Sequence, residues 1–233
     1  MLPPELEELE KRVLYEDNHI IVINKKTGEI VQGDKTGDKP LVELVREYLK
    51  EKYQKPGNVF CVAIHRIDRP VSGVVMFAKT SKGLTKMAEL IKERNISKIY
   101  WAIVEQRPEF ESEKLIHYLK KNEKLNRSYA SDTPKPGYLT AELQYTIIGE
   151  SQRYCLLEVE LFTGRHHQIR VQLSTIGCII KGDLKYGAKR PNPDASIGLH
   201  ARKVIFEHPI SKKHIEIVAT PLGDHFNKIW ENE

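Results

Sequence analysis

Residues 61–80, CVAIHRIDRPVSGVVMFAKT, carry an apolar approach into a charged cluster, turn at Pro70–Gly73, and leave as a second apolar run, GVVMFA. β-Branched and aromatic residues bounded by Pro and Gly predict strands joined by turns here, not a helix. Upstream, VLYEDNHIIVINKKTGEIV (13–31) predicts two or three further strands, broken at Glu16-Asp17-Asn18 and Thr27-Gly28. A helix is predicted over Leu41–Tyr53, where Leu41, Leu44, Val45, Tyr48 and Leu49 share one face, and Pro56-Gly57-Asn58 closes it. Downstream, a helix from Ser81 to about Arg94 buries Leu84, Met87, Ala88 and Ile91, and YWAIVE (100–105) is a strand. The lysine-rich stretch 111–136 predicts a mobile excursion away from the main sheet. Strands are expected over 139–148, 154–161, 203–207 and 214–218, with a helix from about His166 to Ile176 and a short C-terminal helix. Strands outnumber helices without regular alternation, which predicts an α+β fold: a mixed, largely antiparallel central sheet with helices packed around it.

The chain has 233 residues, 40% hydrophobic and 30% charged, a balance that excludes global disorder and a disulfide-stapled miniprotein. Lys plus Arg number 37 against 32 Asp plus Glu, a net +5 that permits a polyanionic partner. The excess is internal, concentrated in Lys79–Lys98 and Arg165–Arg190, segments that could build a basic face. Cys61, Cys155 and Cys178 are far apart among apolar neighbours and read as reduced core residues. No stretch reaches the roughly 20 apolar residues of a membrane helix, so a soluble, cytoplasmic protein is expected.

Two segments carry chemistry. In His65-Arg66-Ile67-Asp68-Arg69 one carboxylate stands between two guanidinium groups. Alone, that pattern equally suits a turn residue paired with a nearby arginine; in a site that excludes water, it describes a carboxylate held ionised and usable as a nucleophile. In residues 161–187, LFTGRHHQIRVQLSTIGCIIKGDLKYG, a Thr-Gly turn leads into the helix, with His166 and Arg170 on one face at i, i+4. Exposed amides at that helix start, with Arg165, would favour an anion. The adjacent histidines point about 100° apart on a helix and have no carboxylate at ligand spacing, which argues against a metal.

HRIDRPVSGVVMFAKT resembles the HRLDRxTSGLLxFAKT segment of RluA-type pseudouridine synthases, and TGRHHQIRVQLSTIGCIIKGDLKYG resembles their TGRxHQIRVHLxxxGxPIxGDxxYG segment. YEDNHIIVINKKTG is similar to the family's opening YEDxxLLVVNKPxG, and Lys98-Ile99-Tyr100 to its KxY element. The resemblance spans Val13 to Thr220. It implies an enzyme that isomerises uridine to pseudouridine in structured RNA, ribosomal or transfer, without cofactor or metal, as a cytoplasmic monomer. It makes Asp68 the catalytic aspartate, Tyr100 the ring stacked on the target base, and Arg170 the partner of Asp68. Arg66 is similar to the arginine that fills the gap left by the flipped nucleotide. His65, Lys98, Arg165, His167 and Gln168 are expected to bind substrate. The strand period puts Lys98, Tyr100 and Ala102 on one face, with Ile99 and Trp101 toward the core.

The sequence departs from the pattern at Lys26, usually Pro, at Pro70-Val71, and at Gln172, a frequent His. Residues 1–12 are expected to be a short lead and 13–233 a single catalytic domain, with no S4 RNA-binding module ahead of it. Two other readings compete on the residues: a non-catalytic RNA chaperone on the same fold, and a phosphodiesterase built on His166 and His167, which the missing ligand spacing disfavours.

Overall fold

The structure, a computed structural model, describes residues 2–34, 36–222 and 226. The chain divides into two compact units, Met1–Ile96 with Arg202–Thr220, and Ser97–Ala201 with the described part of Pro221–Glu233.

The first unit opens with helix α1 (Pro4–Glu10), strands β1 (Val13–Glu16) and β2 (Ile20–Lys25), and helix α2 (Leu41–Lys52). It continues with β3 (Val62–Ala63), β4 (Ser72–Ala78) and helix α3 (Ser81–Lys92). β2 lies between β1 and β4, antiparallel to both, in register from Ile20↔Ala78 to Lys25↔Gly73; β3 also pairs with β4. All six β2 residues are buried: the apolar run Ile20–Ile23 suits a strand covered on both faces, and Asn24 and Lys25 follow it as buried polar residues. Ile21, Ile23, Val75 and Phe77 pack with the apolar faces of α1 and α2, so the 12-residue lead contributes Leu6 and Leu9 to this core. The α2 stripe is buried as its spacing predicts.

Helix α3 starts where expected, capped by the Thr80 hydroxyl, which accepts the Gly83 N–H. Its buried row is Gly83 and Met87, while Leu84 and Ile91 are half-buried and Ala88 is exposed, contrary to the predicted stripe. The rotation follows from Gly83: a Cβ there would lie 2.7 Å from the His19 carbonyl oxygen, so the helix turns its bare edge to the β1–β2 connection.

In the second unit, β5 (Ile96–Val104), β6 (Ser112–Asn122), β7 (Arg127–Ser131), β8 (Leu139–Glu150) and β9 (Cys155–Leu161) form an antiparallel sheet in the order β5-β9-β8-β6-β7. The segment 111–136 is therefore no excursion; β6 pairs with β8 from Ser112↔Thr146 to Leu119↔Leu139 and turns back as β7. Leu115, His117 and Leu119 alternate inward while Lys114, Ile116 and Lys120 face out, a period of two that the lysine content disguised. Helix α4 runs Gln168–Thr175 and buries Val171 with Leu119 and Ala141. A 3-10 turn, Leu184–Tyr186, follows.

Strand β10 (Leu199–Glu207) returns the chain toward the first unit, where it pairs antiparallel with β11 (His214–Val218). The class is α+β, with mostly antiparallel strands, as predicted; the described residues hold four α-helices. The expected C-terminal helix lies outside the described residues. Cys61, Cys155 and Cys178 are buried thiols, and burial pushes Cys61 up to about 12. Among the described residues no helix is long and apolar enough to cross a membrane.

Candidate active site

Asp68 sits half-buried on the loop between β3 and β4, just before a turn closed by the Val71 N–H donating to the Asp68 carbonyl at 3.0 Å. His65 Nε2 accepts the Met76 N–H at 3.2 Å, so its ring proton is on Nδ1 and the imidazole pins the loop to β4. Arg66 is exposed. Arg69, the other flanking guanidinium, is exposed and paired with Asp38 at 2.7 Å, which directs it to a second carboxylate.

Beneath this turn lies a residue that sequence reasoning passed over. Lys25 ends β2 fully buried, and its Nζ donates to the carbonyls of Lys26 (2.8 Å), Arg69 (3.2 Å) and Val71 (2.7 Å). An ammonium has three donors, and here three backbone oxygens take them. Burial pulls Lys25 down to about 8, against the attraction of Glu29 and Asp68. The Gly28 N–H also donates to the Arg69 carbonyl, so the turn that follows Asp68 is fastened to the β2 end by both charge and backbone.

In the second unit, Tyr100 is buried on β5 and Lys98 is half-buried, its amine pulled down by burial; a Cβ on Gly164 would lie 3.7 Å from its Nζ. Ile99 is half-buried, and Trp101, also half-buried, packs on the core residues Ile103 and Leu156, on the core side as expected. Gln168 stitches the Thr163–Arg165 turn: its Oε1 accepts from the Thr163 hydroxyl and the Arg165 N–H, and its Nε2 donates to the Glu142 carbonyl. The Gln168 N–H already donates to the Arg165 carbonyl, and Arg165 Nε to the Thr140 carbonyl at 3.0 Å. These groups are occupied by the protein, which removes much of the anion site expected at this helix start.

The helix begins two residues later than predicted. His167 is its cap, with φ 53° in the left-handed region, so His166 lies before the helix and shares no i, i+4 face with Arg170. The kink stacks the two imidazoles at 3.7 Å instead of splaying them. His166 Nδ1 lies 2.8 Å from the Ser128 hydroxyl, and His167 Nδ1 2.9 Å from the Tyr186 hydroxyl. Gln172 fills its buried position through Nε2 contacts to His117 Nδ1 and the Leu115 and Ala141 carbonyls.

Arg170 is buried and forks onto Asp183, Nε to Oδ2 at 2.7 Å and a terminal nitrogen to Oδ1 at 2.8 Å. A paired, hydrogen-bonded guanidinium is how a buried charge is tolerated. It also withdraws Arg170 from the supposed basic face of 165–190, as Glu16 withdraws Lys79 from that of 79–98. Asp183 and Tyr186 both lie in the quoted GDLKYG, which signalled them, but nothing in spacing revealed their partner.

A family model described as RNA pseudouridylate synthase matches residues 19–175, two thirds of the chain, a range that holds Lys25, the Asp68 loop, Tyr100 and Arg170. The chain belongs to the RNA pseudouridylate synthase family. Among its relatives, "Ribosomal large subunit pseudouridine synthase C" of Vibrio cholerae is 31% identical over 95% of this chain and 69% of its own. "Uncharacterized RNA pseudouridine synthase YhcT" of Bacillus subtilis is 31% identical over 91% and 68%. The solved human RNA pseudouridylate synthase domain containing 4 superposes with a TM-score of 0.77 at 21% identity, over 93% of this chain and 90% of that one, a likeness of fold. As a pseudouridine synthase the protein is an enzyme that isomerises uridine in RNA, which sets aside the chaperone and phosphodiesterase readings.

Proposed function

We propose that the substrate is large-subunit ribosomal RNA, with Asp68 as the catalytic aspartate, Tyr100 stacking on the target uracil and Arg170 as the buried cation of the site. The observation that carries the substrate is the 31% identity to a large-subunit synthase across 95% of the chain. The reaction cuts the N1–C1′ bond, turns the uracil and joins C5 to C1′; the C5 proton leaves, N1 takes one up, and no redox change occurs. A stacked uridine is out of reach, so the base is flipped at a cost of a few kcal/mol. Arg66, exposed on the Asp68 loop, is suited to occupy the vacated stack, and His65 and Gln168 act by holding loops, not by touching RNA. Lys98, Arg165 and His167 complete the substrate-binding set. Asp68 engages the ribose, through C1′ or the C2′ proton, and needs no cofactor. The protein works as a monomer in the cytoplasm.

The test is tritium release from C5-labelled large-subunit RNA. Asp68→Asn is expected to release none while retaining RNA binding; release at the wild-type rate would refute the assignment of Asp68. Transfer RNA labelled alike is expected to release none, and efficient release from it would overturn the substrate proposed.

A further inference from the structure

We propose that Asp183 and Tyr186 are positioning residues that set the pose of Arg170 for the isomerisation, an inference that rests on the reading of Arg170 above. Both belong to one short segment, Gly182–Gly187. Asp183 supplies the fork and is 1% exposed. Tyr186, 3% exposed, presents its ring 5.2 Å from the Arg170 guanidinium carbon, and a second guanidinium, Arg127, lies 5.1 Å from the same ring. A carboxylate fork fixes the plane of a guanidinium, and an aromatic ring beside it restricts the remaining swing.

The cradle is itself held. The Tyr186 hydroxyl accepts the Ser128 N–H at 2.9 Å and lies 2.9 Å from His167 Nδ1, so it is held from two sides. The Tyr186 carbonyl accepts from the Ser174 hydroxyl on α4, the helix that bears Arg170, and the Tyr186 and Ala188 N–H groups both donate to the Asp183 carbonyl. Gly182 takes φ +80°, and a Cβ there would fall 2.8 Å from the Asn192 amide, so the segment enters the cradle along a path only glycine allows. Two polar side chains buried this deeply and converging on one arginine fit a requirement for its orientation. Misplacing a reacting group by about 1 Å costs on the order of 100-fold in rate.

The experiment measures single-turnover tritium release, RNA affinity and folded fraction for Arg170→Ala, Asp183→Asn, Tyr186→Phe and Tyr186→Leu in the full chain. Asp183→Asn and Tyr186→Leu are expected to slow the chemical step by about 10-fold or more per folded molecule, with RNA affinity within about threefold of wild type. Tyr186→Phe keeps the ring and is expected to recover most of the rate lost in the leucine variant, which a purely structural role would not arrange. Folded Asp183→Asn and Tyr186→Leu proteins at the wild-type rate, beside an inactive Arg170→Ala, would overturn the cradle alone. An Arg170→Ala protein at the wild-type rate would instead overturn the reading of Arg170 on which it rests.

Discussion

Lys25 and Arg170 are both buried cations in segments that carry the family resemblance, yet the protein satisfies them by opposite means. Lys25 in the first unit is hydrogen-bonded by dipoles, three backbone carbonyls, and burial drags it to about 8 against the attraction of Glu29 and Asp68. Arg170 in the second meets a full carboxylate in a two-point fork. The difference follows from the groups: an ammonium is a compact charge with three rotatable donors, whereas a guanidinium is a planar fork that matches a carboxylate and keeps its proton. Dipoles brace a backbone turn but compensate charge incompletely; a fork compensates charge and fixes an angle. Lys25 is thus suited to holding the shape of the turn that follows Asp68, and Arg170 to being held at a fixed orientation.

The strongest way to break the comparison is to unpair the fork. Arg170→Met leaves the Asp183 carboxylate buried without it and is expected to cost about 3–5 kcal/mol, read as a lower urea midpoint at unchanged slope. A companion Asp183→Leu change should return much of that loss, since removing both charges removes the desolvation penalty. A single-variant loss under about 1 kcal/mol would mean the fork contributes little.

Lys25→Met should cost less, about 1–3 kcal/mol. The variant leaves three carbonyls without their donor but also removes a charge the interior tolerates poorly. The same urea titration decides it, and a loss equal to that of Arg170→Met would erase the distinction between dipole and carboxylate compensation.

The two residues also differ in how far the sequence revealed them. The hydrophobic periods fixed α2 closely, and the two long segments led to the Asp68 loop and to Arg170. Lys25, at the end of IIVINK, reads as the residue where a strand meets water, because nothing local shows a turn 44 residues away folding its carbonyls over the amine. The β6–β7 hairpin was obscured for the opposite reason: its lysines are truly exposed, but they alternate with Leu115, His117 and Leu119, and composition spoke louder than period. The start of α4 failed on one backbone angle, the left-handed His167, which a non-glycine residue adopts only when its surroundings hold it there. Here the Tyr186 hydroxyl, 19 positions on, takes part in doing so.

The finest probe of the comparison is pH. Lys25 loses its proton near 8 in the folded protein and near its ordinary 10.5 when unfolded. Between those values the unfolded chain binds more protons, so unfolding free energy rises with pH and the penalty paid by the buried ammonium below pH 8 is progressively relieved. Lys25→Met lacks this term, and subtracting its unfolding free energy from that of wild type cancels the other titrating groups. The gap should widen by about 1 kcal/mol between pH 8 and pH 9. Across the same range the gap between wild type and Arg170→Met should stay flat, because the guanidinium keeps its charge throughout. A Lys25 gap that stayed constant or narrowed would show an amine titrating as it does in water, and the carbonyls would then be compensating its charge as fully as a carboxylate does.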